Sequence, residues 1–372
     1  MGDAMGDGTL ATSAAARTIL ALDLEKFKSV ACVLEAERGS GGHRFETIAT
    51  SPSAVAELLA EVRPDRLVIE ACSIAGWVCD LARPLGIAVV VANANSEAWQ
   101  WKRVKRKTDR DDALKLAKLS LMNQLPQVHV PEPAVRQWKG LIKYRHALVD
   151  RRTGIKNTIR SLLDSQGLGW PARSKGWTAA ALAELKQLSR PLGECPPLEL
   201  WRGQLAVELT LLEQMMKAIA GVDAQLDRLQ RTDERVARLK TVPQVGPRLA
   251  ELVVSTIDDA KRFKSAKQIS AYAGLVPRQY QSGTMDRKGR ITGQGPGLLR
   301  RVLVQVAWGM QRREGRGREV FERLCHGQRT RRKQAAVAVA RKILVWCWAM
   351  LRDGTDWREN QEATPPRLSA AT

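Results

Sequence analysis

The sequence predicts a mixed α/β region followed by a chain that is almost wholly helical. Three observations carry this. Short apolar runs alternate with helical patterns from Arg17 to about Asn123. Apolar residues at three- and four-residue steps fill about Glu132–Arg231. A strongly basic, mostly helical stretch then runs from Leu239 to about Arg352, broken by glycine-rich loops over Gly274–Gly297. Strands first and helices afterwards is the pattern of a layered α/β unit with helical additions.

The first sixteen residues are small and polar and are expected to be disordered. Thr18–Leu24 (TILALDL) and Ser29–Glu35 (SVACVLE) read as neighbouring strands, and the short link between them suits a hairpin. Arg44–Ala49 is a candidate third strand. Ser51 then caps a helix through Val62, followed by an apolar strand at Arg66–Glu70. A helix near Ile74–Leu85 leads into a buried strand at Ile87–Ala92. A hairpin followed by β-α-β predicts a mixed, partly antiparallel sheet with helices on its faces. Val135, Trp138, Leu141, Ile142, Leu148, Ile155, Ile159 and Leu162 form one long apolar stripe. Leu198, Trp201, Leu205, Leu212, Met215, Ile219, Val222, Leu226 and Leu229 form another. With GLGWPARS between them, they describe an antiparallel helical, coiled-coil-like arm, which serves either as a dimer contact or as a spacer. The expected domains are 17–125, 126–232 and 233–352, with flexible ends at 1–16 and 353–372.

Sixty Lys and Arg against 39 Asp and Glu leave a formal charge of +21. An excess that large favours a polyanionic partner, because each phosphate neutralised releases condensed counterions. The six cysteines (Cys32, Cys72, Cys79, Cys195, Cys325 and Cys347) show no CxxC spacing and do not cluster with the four histidines. A zinc site and a disulfide framework are therefore not expected, and the thiols read as small core residues of a reducing compartment. The start lacks a signal-peptide pattern, and no apolar run is long enough to predict a membrane span, so the expectation is a soluble, cytoplasmic protein.

The acids are the informative residues. Asp23 and Glu70 each end an apolar strand, where a carboxylate is costly unless it faces solvent or a cation. Each alone reads equally as a strand-terminating surface acid. Thr108-Asp109-Arg110-Asp111-Asp112 opens a helix, with Thr108 as N-cap and Asp111 placed to close a capping box. Asp109 and Asp112, three residues apart, then share one face. Four carboxylates form the oxygen-rich set that magnesium takes, and paired ions can stabilise both oxygens of a phosphoryl transfer. The competing reading is that the three helix-start acids only complement the helix dipole.

ALDLEKFKS, VIEACSIAGW and KTDRDDALKLAKL, in that order, resemble the N-terminal DEDD domain of IS110-family transposases. The resemblance implies a RuvC-like, RNase H-like fold over Thr18–Asn123. It gives the catalytic and metal-binding roles to Asp23, Glu70, Asp109 and Asp112, with magnesium as the cofactor and manganese as a substitute. Downstream, the order AGLVP, then QSG, then a basic glycine-rich stretch into GLLRRVL resembles the C-terminal transposase domain of the same family. By that resemblance Ser282 is the nucleophile. Where the family has Gly-Asn before this last helix, the chain has Gly295-Pro296. The family further implies DNA partners (element ends and target), a noncoding bridge RNA as guide, and a bacterial, nucleoid-associated place of action. It also implies a dimer or tetramer with a site composed between subunits. PQVG at Pro243–Gly246 resembles a helix-hairpin-helix turn that could hold a DNA phosphate, and reads equally as a plain spacer.

Candidate nucleic-acid contacts are Lys102, Arg103, Lys105, Arg106 and Lys107, with Trp99 and Trp101 beside them, and Arg278, Lys288, Arg290 and Arg300 around the serine. Lys143, Arg145, Arg151, Arg152, Lys156 and Arg160 add a basic stripe on the arm, which could equally be a solvated face. Arg301, Arg312, Arg313, Arg329, Arg331, Arg332 and Lys333 add another. Two rival functions remain at this point. One is a RuvC-like junction nuclease that uses the acids alone, and the other is a non-enzymatic nucleic-acid-packaging protein.

Overall fold

A computed structural model of the chain describes residues 17–37, 42–93, 108–171, 176–282 and 285–358. The cationic run Lys102–Lys107 with Trp99 and Trp101 lies outside the described residues, as do residues 1–16 and 359–372. By packing, the chain divides into two compact units, one ending at Pro133 and the other beginning at Ala134.

The N-terminal unit is a five-stranded mixed sheet in the order β3-β2-β1-β4-β5. Its strands are β1 (Thr18–Leu24), β2 (Lys28–Glu35), β3 (His43–Ala49), β4 (Arg66–Glu70) and β5 (Ala88–Ala92). β2 is antiparallel to both β1 and β3, whereas β1, β4 and β5 run parallel. The central strands are buried on both faces, which explains their unbroken apolar runs. Leu20, Leu22, Leu67 and Ile69 point to the face covered by α1 (Pro52–Val62) and α2 (Ala75–Ala82). Ile19, Ala21, Cys32 and Val68 point to the other, covered by α3 (Asp109–Leu121). Each fully buried Leu or Ile contributes about 1.5–3 kcal/mol. α1 begins as expected, with the Ser51 hydroxyl accepting from the Ala54 amide at 3.2 Å.

The second unit begins with the arm. α4 (Pro133–Ser165) and α6 (Leu200–Arg231) are 33 and 32 residues long, with the short α5 (Ala179–Leu188) between them. They run antiparallel: Trp138 and Ile142 share a core with Leu226, while Ile159 and Leu163 share one with Leu205 and Leu209. Leu205, Leu212, Ile219 and Leu226 are buried at steps of seven, the repeat of a coiled-coil seam. One member of the expected stripe falls off it: Leu198 precedes the helix and is 94% exposed. Leu229 is 39% exposed and lines a surface hollow with Val135 and Trp138 of α4.

Beyond the arm come α7 (Glu234–Leu239), α8 (Pro247–Ile257), α9 (Ala266–Tyr272), α10 (Gly297–Met310), α11 (Arg316–Cys325) and α12 (Arg332–Asp353). Their core is one cluster with α12 at its centre: Ala336, Val339, Ala340, Ile343, Leu344 and Cys347 are buried in it. The segment Arg329–Asp353 is long and apolar enough to cross a membrane by length and composition. Here it is the core helix of the unit.

The glycine-rich loop region contains a feature that the sequence did not predict. β6 (Pro277–Ser282) and β7 (Met285–Ile291) pair as an antiparallel ribbon. Nearly every residue in it is exposed, so it lacks the apolar alternation by which strands are recognised. Gly274 and Gly295, both with positive φ, let the chain pass close to Gln294 and to the Tyr272 carbonyl respectively, where a Cβ would collide.

A charged knot ties the arm to its base. Arg145 on α4 pairs with Asp223 on α6 at 2.9 Å, and Arg248 on α8 reaches Asp223 at 3.2 Å, Glu251 at 3.0 Å and Asp227. Arg145 is thereby committed within the fold, while Lys143 and Arg151 on the same helix are exposed.

Candidate active site

β1 and β4 run parallel with Leu22 beside Ile69, so the next residues out, Asp23 and Glu70, leave adjacent strands at the same end. Neighbouring strands lie about 4.8 Å apart. Side chains alternate along a strand, and Ile19, Ala21 and Val68 face α3, so Asp23 and Glu70 project to the α3 side. This is the carboxyl end of the parallel strands, where open α/β sheets place their ligand sites.

Local sequence holds α3 in register at that end. The Asp111 amide donates to the Thr108 hydroxyl at 3.3 Å, and the Thr108 amide donates to the Asp111 carboxylate at 3.1 Å. The Thr108 hydroxyl also donates to Asp111, at 2.6 Å. Both halves of the capping box are formed, so Asp111 is the structural acid. Asp112 is turned inward, at 6% exposure, while Asp109 is exposed. Arg110 turns to the Phe45 ring, 5.6 Å from its centroid.

The other three acids act on Asp23. Asp23 is half-buried, and its carboxyl is pushed up from 3.8 to about 6. Burial is the largest cause, followed by the negative charges of Asp112, Asp109, Glu70 and Glu25. One strand-end acid thus senses the other and both helix-start acids. The cluster is open: among the described residues no three His, Cys, Asp or Glu side chains close together as the ligands of one ion. Carboxylates that repel close on a cation only when its charge offsets the repulsion. An all-carboxylate oxygen donor set has the chemistry of a hard dication site, so the residues fit magnesium in kind.

Ser282 lies in the second unit, at the end of β6, paired with Met285 and exposed. Gly283, the next residue, is outside the described residues. The register puts Tyr280 opposite Arg287 and Gln279 opposite Lys288. Alternation therefore places Tyr280, Met285 and Arg287 on the Ser282 face, and Lys288 on the other. A register shift between Pro277 and Gln279 separates Arg278, and Arg290 across from it, from this simple alternation. Arg287 was not among the residues singled out in the sequence, although counting in twos from Ser282 and Met285 would have found it.

Arg300 has a structural role. It donates to the carbonyl oxygens of Ala273 (3.1 Å) and Gln294, fastening the approach to α10 onto the end of α9. Arg301 pairs with Asp150 on α4 at 3.1 Å. The Pro243–Gly246 turn joins α7 to α8 as a helical hairpin, with Gln244 at φ +68 in the left-handed conformation.

These two parts of the chain match two family models. Residues 20–166 match the DEDD model of IS110 type, described as "Transposase". Residues 236–322 match the model described as "Transposase IS116/IS110/IS902 family". The fold and paired matches define a DNA-processing enzyme of the transposase class, and DNA binding goes with that class. The chain belongs to the IS116/IS110/IS902 family of transposases. It is 30% identical to the "Probable family 20 transposase" of Pseudomonas aeruginosa, across 82% of this chain and 89% of that protein. It is 27% identical to the transposase of insertion sequence element IS1328 from Yersinia enterocolitica, across 80% and 87%. It is 28% identical to that of IS1111A from Coxiella burnetii, across 66% of each.

Proposed function

We propose that this transposase cuts and rejoins DNA with two sets of groups: the carboxylates Asp23, Glu70, Asp109 and Asp112, and the hydroxyl of Ser282. The observation that carries the reading is the single electrostatic cluster around Asp23, built from two strand ends and one capped helix start. A sheet ordered β3-β2-β1-β4-β5 with only β2 reversed supports an RNase H-like, RuvC-like assignment for the N-terminal unit.

Asp23, Glu70, Asp109 and Asp112 would hold magnesium, or manganese in its place. Bound there, a dication supplies charge neutralisation at a phosphate and activation of an attacking oxygen. The protein groups supply position. β1 and β4 fix two acids side by side, and the capping box fixes the other two. Ser282 Oγ attacks phosphorus. The P–O bond to the departing strand breaks, and its oxygen leaves with the proton that the serine gives up. A phosphoserine ester remains, which a second strand's hydroxyl can displace to rejoin the DNA. Arg287 on the Ser282 face is placed to balance charge on that phosphate, with Arg278 at the base of the ribbon. Lys288 on the opposite face, Arg290 near the base of the ribbon, and the run Lys102, Arg103, Lys105, Arg106 and Lys107 would hold flanking backbone.

The +21 charge supports a large polyanionic assembly, which we take to be element-end and target DNA with a noncoding guide RNA. We take the arm, whose seven-residue seam is filled within the chain, to join subunits by its outer surface into a dimer or tetramer whose acids and serines act on the same phosphodiester. Recombination between a donor and a target plasmid tests the reading. Ser282→Ala should abolish both recombination and the covalent protein–DNA adduct while DNA binding survives. Asp109→Asn with Asp112→Asn should abolish strand breakage. Intact strand cleavage by Ser282→Ala would favour a carboxylate-only nuclease, and full activity in the double Asn variant would remove the carboxylates from the chemistry.

A further inference from the structure

The link between β1 and β2 is Glu25-Lys26-Phe27, and it turns at the sheet end where Asp23 and Glu70 lie. Phe27 is 75% exposed. A lone exposed ring on a surface is ordinary and by itself means nothing. Three further features set this one apart.

The first is place: the turn leaves β1 directly after Asp23 and Leu24. The second is rigidity. The Phe27 carbonyl accepts from the Thr50 amide at 2.9 Å, and the Thr50 hydroxyl is hydrogen-bonded to that of buried Ser29 at 2.7 Å. The ring is thus held out on a fastened turn, and ordering it in a complex costs only side-chain freedom. The third is charge. Lys26 lies 5.0 Å from the ring centroid, and Lys28, also exposed, follows immediately. An exposed ring with one ammonium group beside it and a second exposed lysine next in the chain, at the sheet end that carries the acids, suits an unpaired nucleotide: base on ring, phosphates on cations.

We propose that Phe27, flanked by Lys26 and Lys28, is a docking site for an unstacked nucleobase of the DNA strand being processed. It keeps that strand open next to the phosphodiester under attack. The inference rests on the reading of Asp23 and its partners as the strand-breaking centre. Stacking of this kind tolerates sequence, since every base has a π-face, so Phe27 would set strand geometry and leave target choice to other groups.

The test uses the full chain in magnesium-free buffer, with a single-stranded oligonucleotide carrying 2-aminopurine and a matched duplex as probes. The wild-type protein should quench the fluorescent base in the single strand. Phe27→Ala should lose the quench and bind the single strand about 5- to 150-fold more weakly, the range that base–aromatic stacking carries, with duplex affinity kept. Phe27→Trp should restore both, whereas Phe27→Leu, apolar without a π-face, should not. Unchanged affinity and quench in Phe27→Ala would overturn the proposal, and so would rescue by Leu as complete as by Trp. Asp23→Asn separates the two ideas, because it should keep the quench in magnesium-free buffer and lose the cleavage that the wild-type protein shows once magnesium is added. Normal cleavage by Asp23→Asn overturns the carboxylate reading whatever Phe27 does.

Discussion

Asp23→Asn should make the N-terminal unit more stable while destroying its chemistry. In the folded chain the Asp23 carboxyl is raised from 3.8 to about 6 by burial and by its acidic neighbours. Below pH 4 the group is protonated whether the chain is folded or not, and its surroundings cost nothing. Between 4 and 6 the unfolded chain ionises first, so native stability falls as pH rises. Above 6 the full penalty is in force. At about 1.4 kcal/mol per pH unit, that rise amounts to ~3 kcal/mol, and partial exposure of the carboxylate to solvent reduces it to about 1–2 kcal/mol. Asn has nearly the same shape and no charge, so it should recover that amount at pH 7 and nothing at pH 3.5. Urea unfolding read by pulsed hydrogen exchange at the β1 and β4 amides isolates the relevant unit. Magnesium should shrink the advantage, because only the wild-type cluster gains from a dication. A gain independent of pH, or a loss of stability at neutral pH, would refute the electrostatic account.

Three further outcomes follow from the packing. Asp111→Ala removes half of the capping box and should cost about 1 kcal/mol, with weaker amide protection in the first turn of α3, measurable by hydrogen exchange. Arg248→Ala leaves buried Glu251 without its main partner and should cost about 3–5 kcal/mol in denaturant unfolding of the second unit, whereas Arg248→Met with Glu251→Leu should recover most of it. Gly274→Ala meets Gln294 in a left-handed backbone and should cost about 2–4 kcal/mol, seen as a lower urea midpoint, whereas Ser282→Ala on the exposed ribbon should leave that midpoint unchanged.

The central sheet was readable because its signals are local. The runs TILALDL and RLVIE are apolar throughout, as doubly covered strands must be, and Thr108 with Asp111 announces the start of α3 within four residues. That Glu70, Asp109 and Asp112 bear on Asp23 follows from strand order and parity, which the sequence implies but does not display. The β6–β7 ribbon was not readable, since strands buried on neither face carry no apolar period. Nor could the sequence sort its cations. Arg145 and its partner Asp223 are 78 residues apart, and Arg300 donates to carbonyls that any residue could present. Each looked free because its partner is distant in the chain or carries no side-chain signature.

The knot of Arg145, Asp223 and Arg248 has a mechanical consequence. From the clamp at Arg145 to its end at Ser165, α4 makes a lever about 30 Å long at 1.5 Å per residue. A rotation of about two degrees at the clamp sweeps the far end through roughly 1 Å, so play at the base is magnified wherever the tip makes contact. Three ionic groups on three helices clamp that root against α8. Loosening the clamp would blur the aim of the arm without altering any atom at its tip.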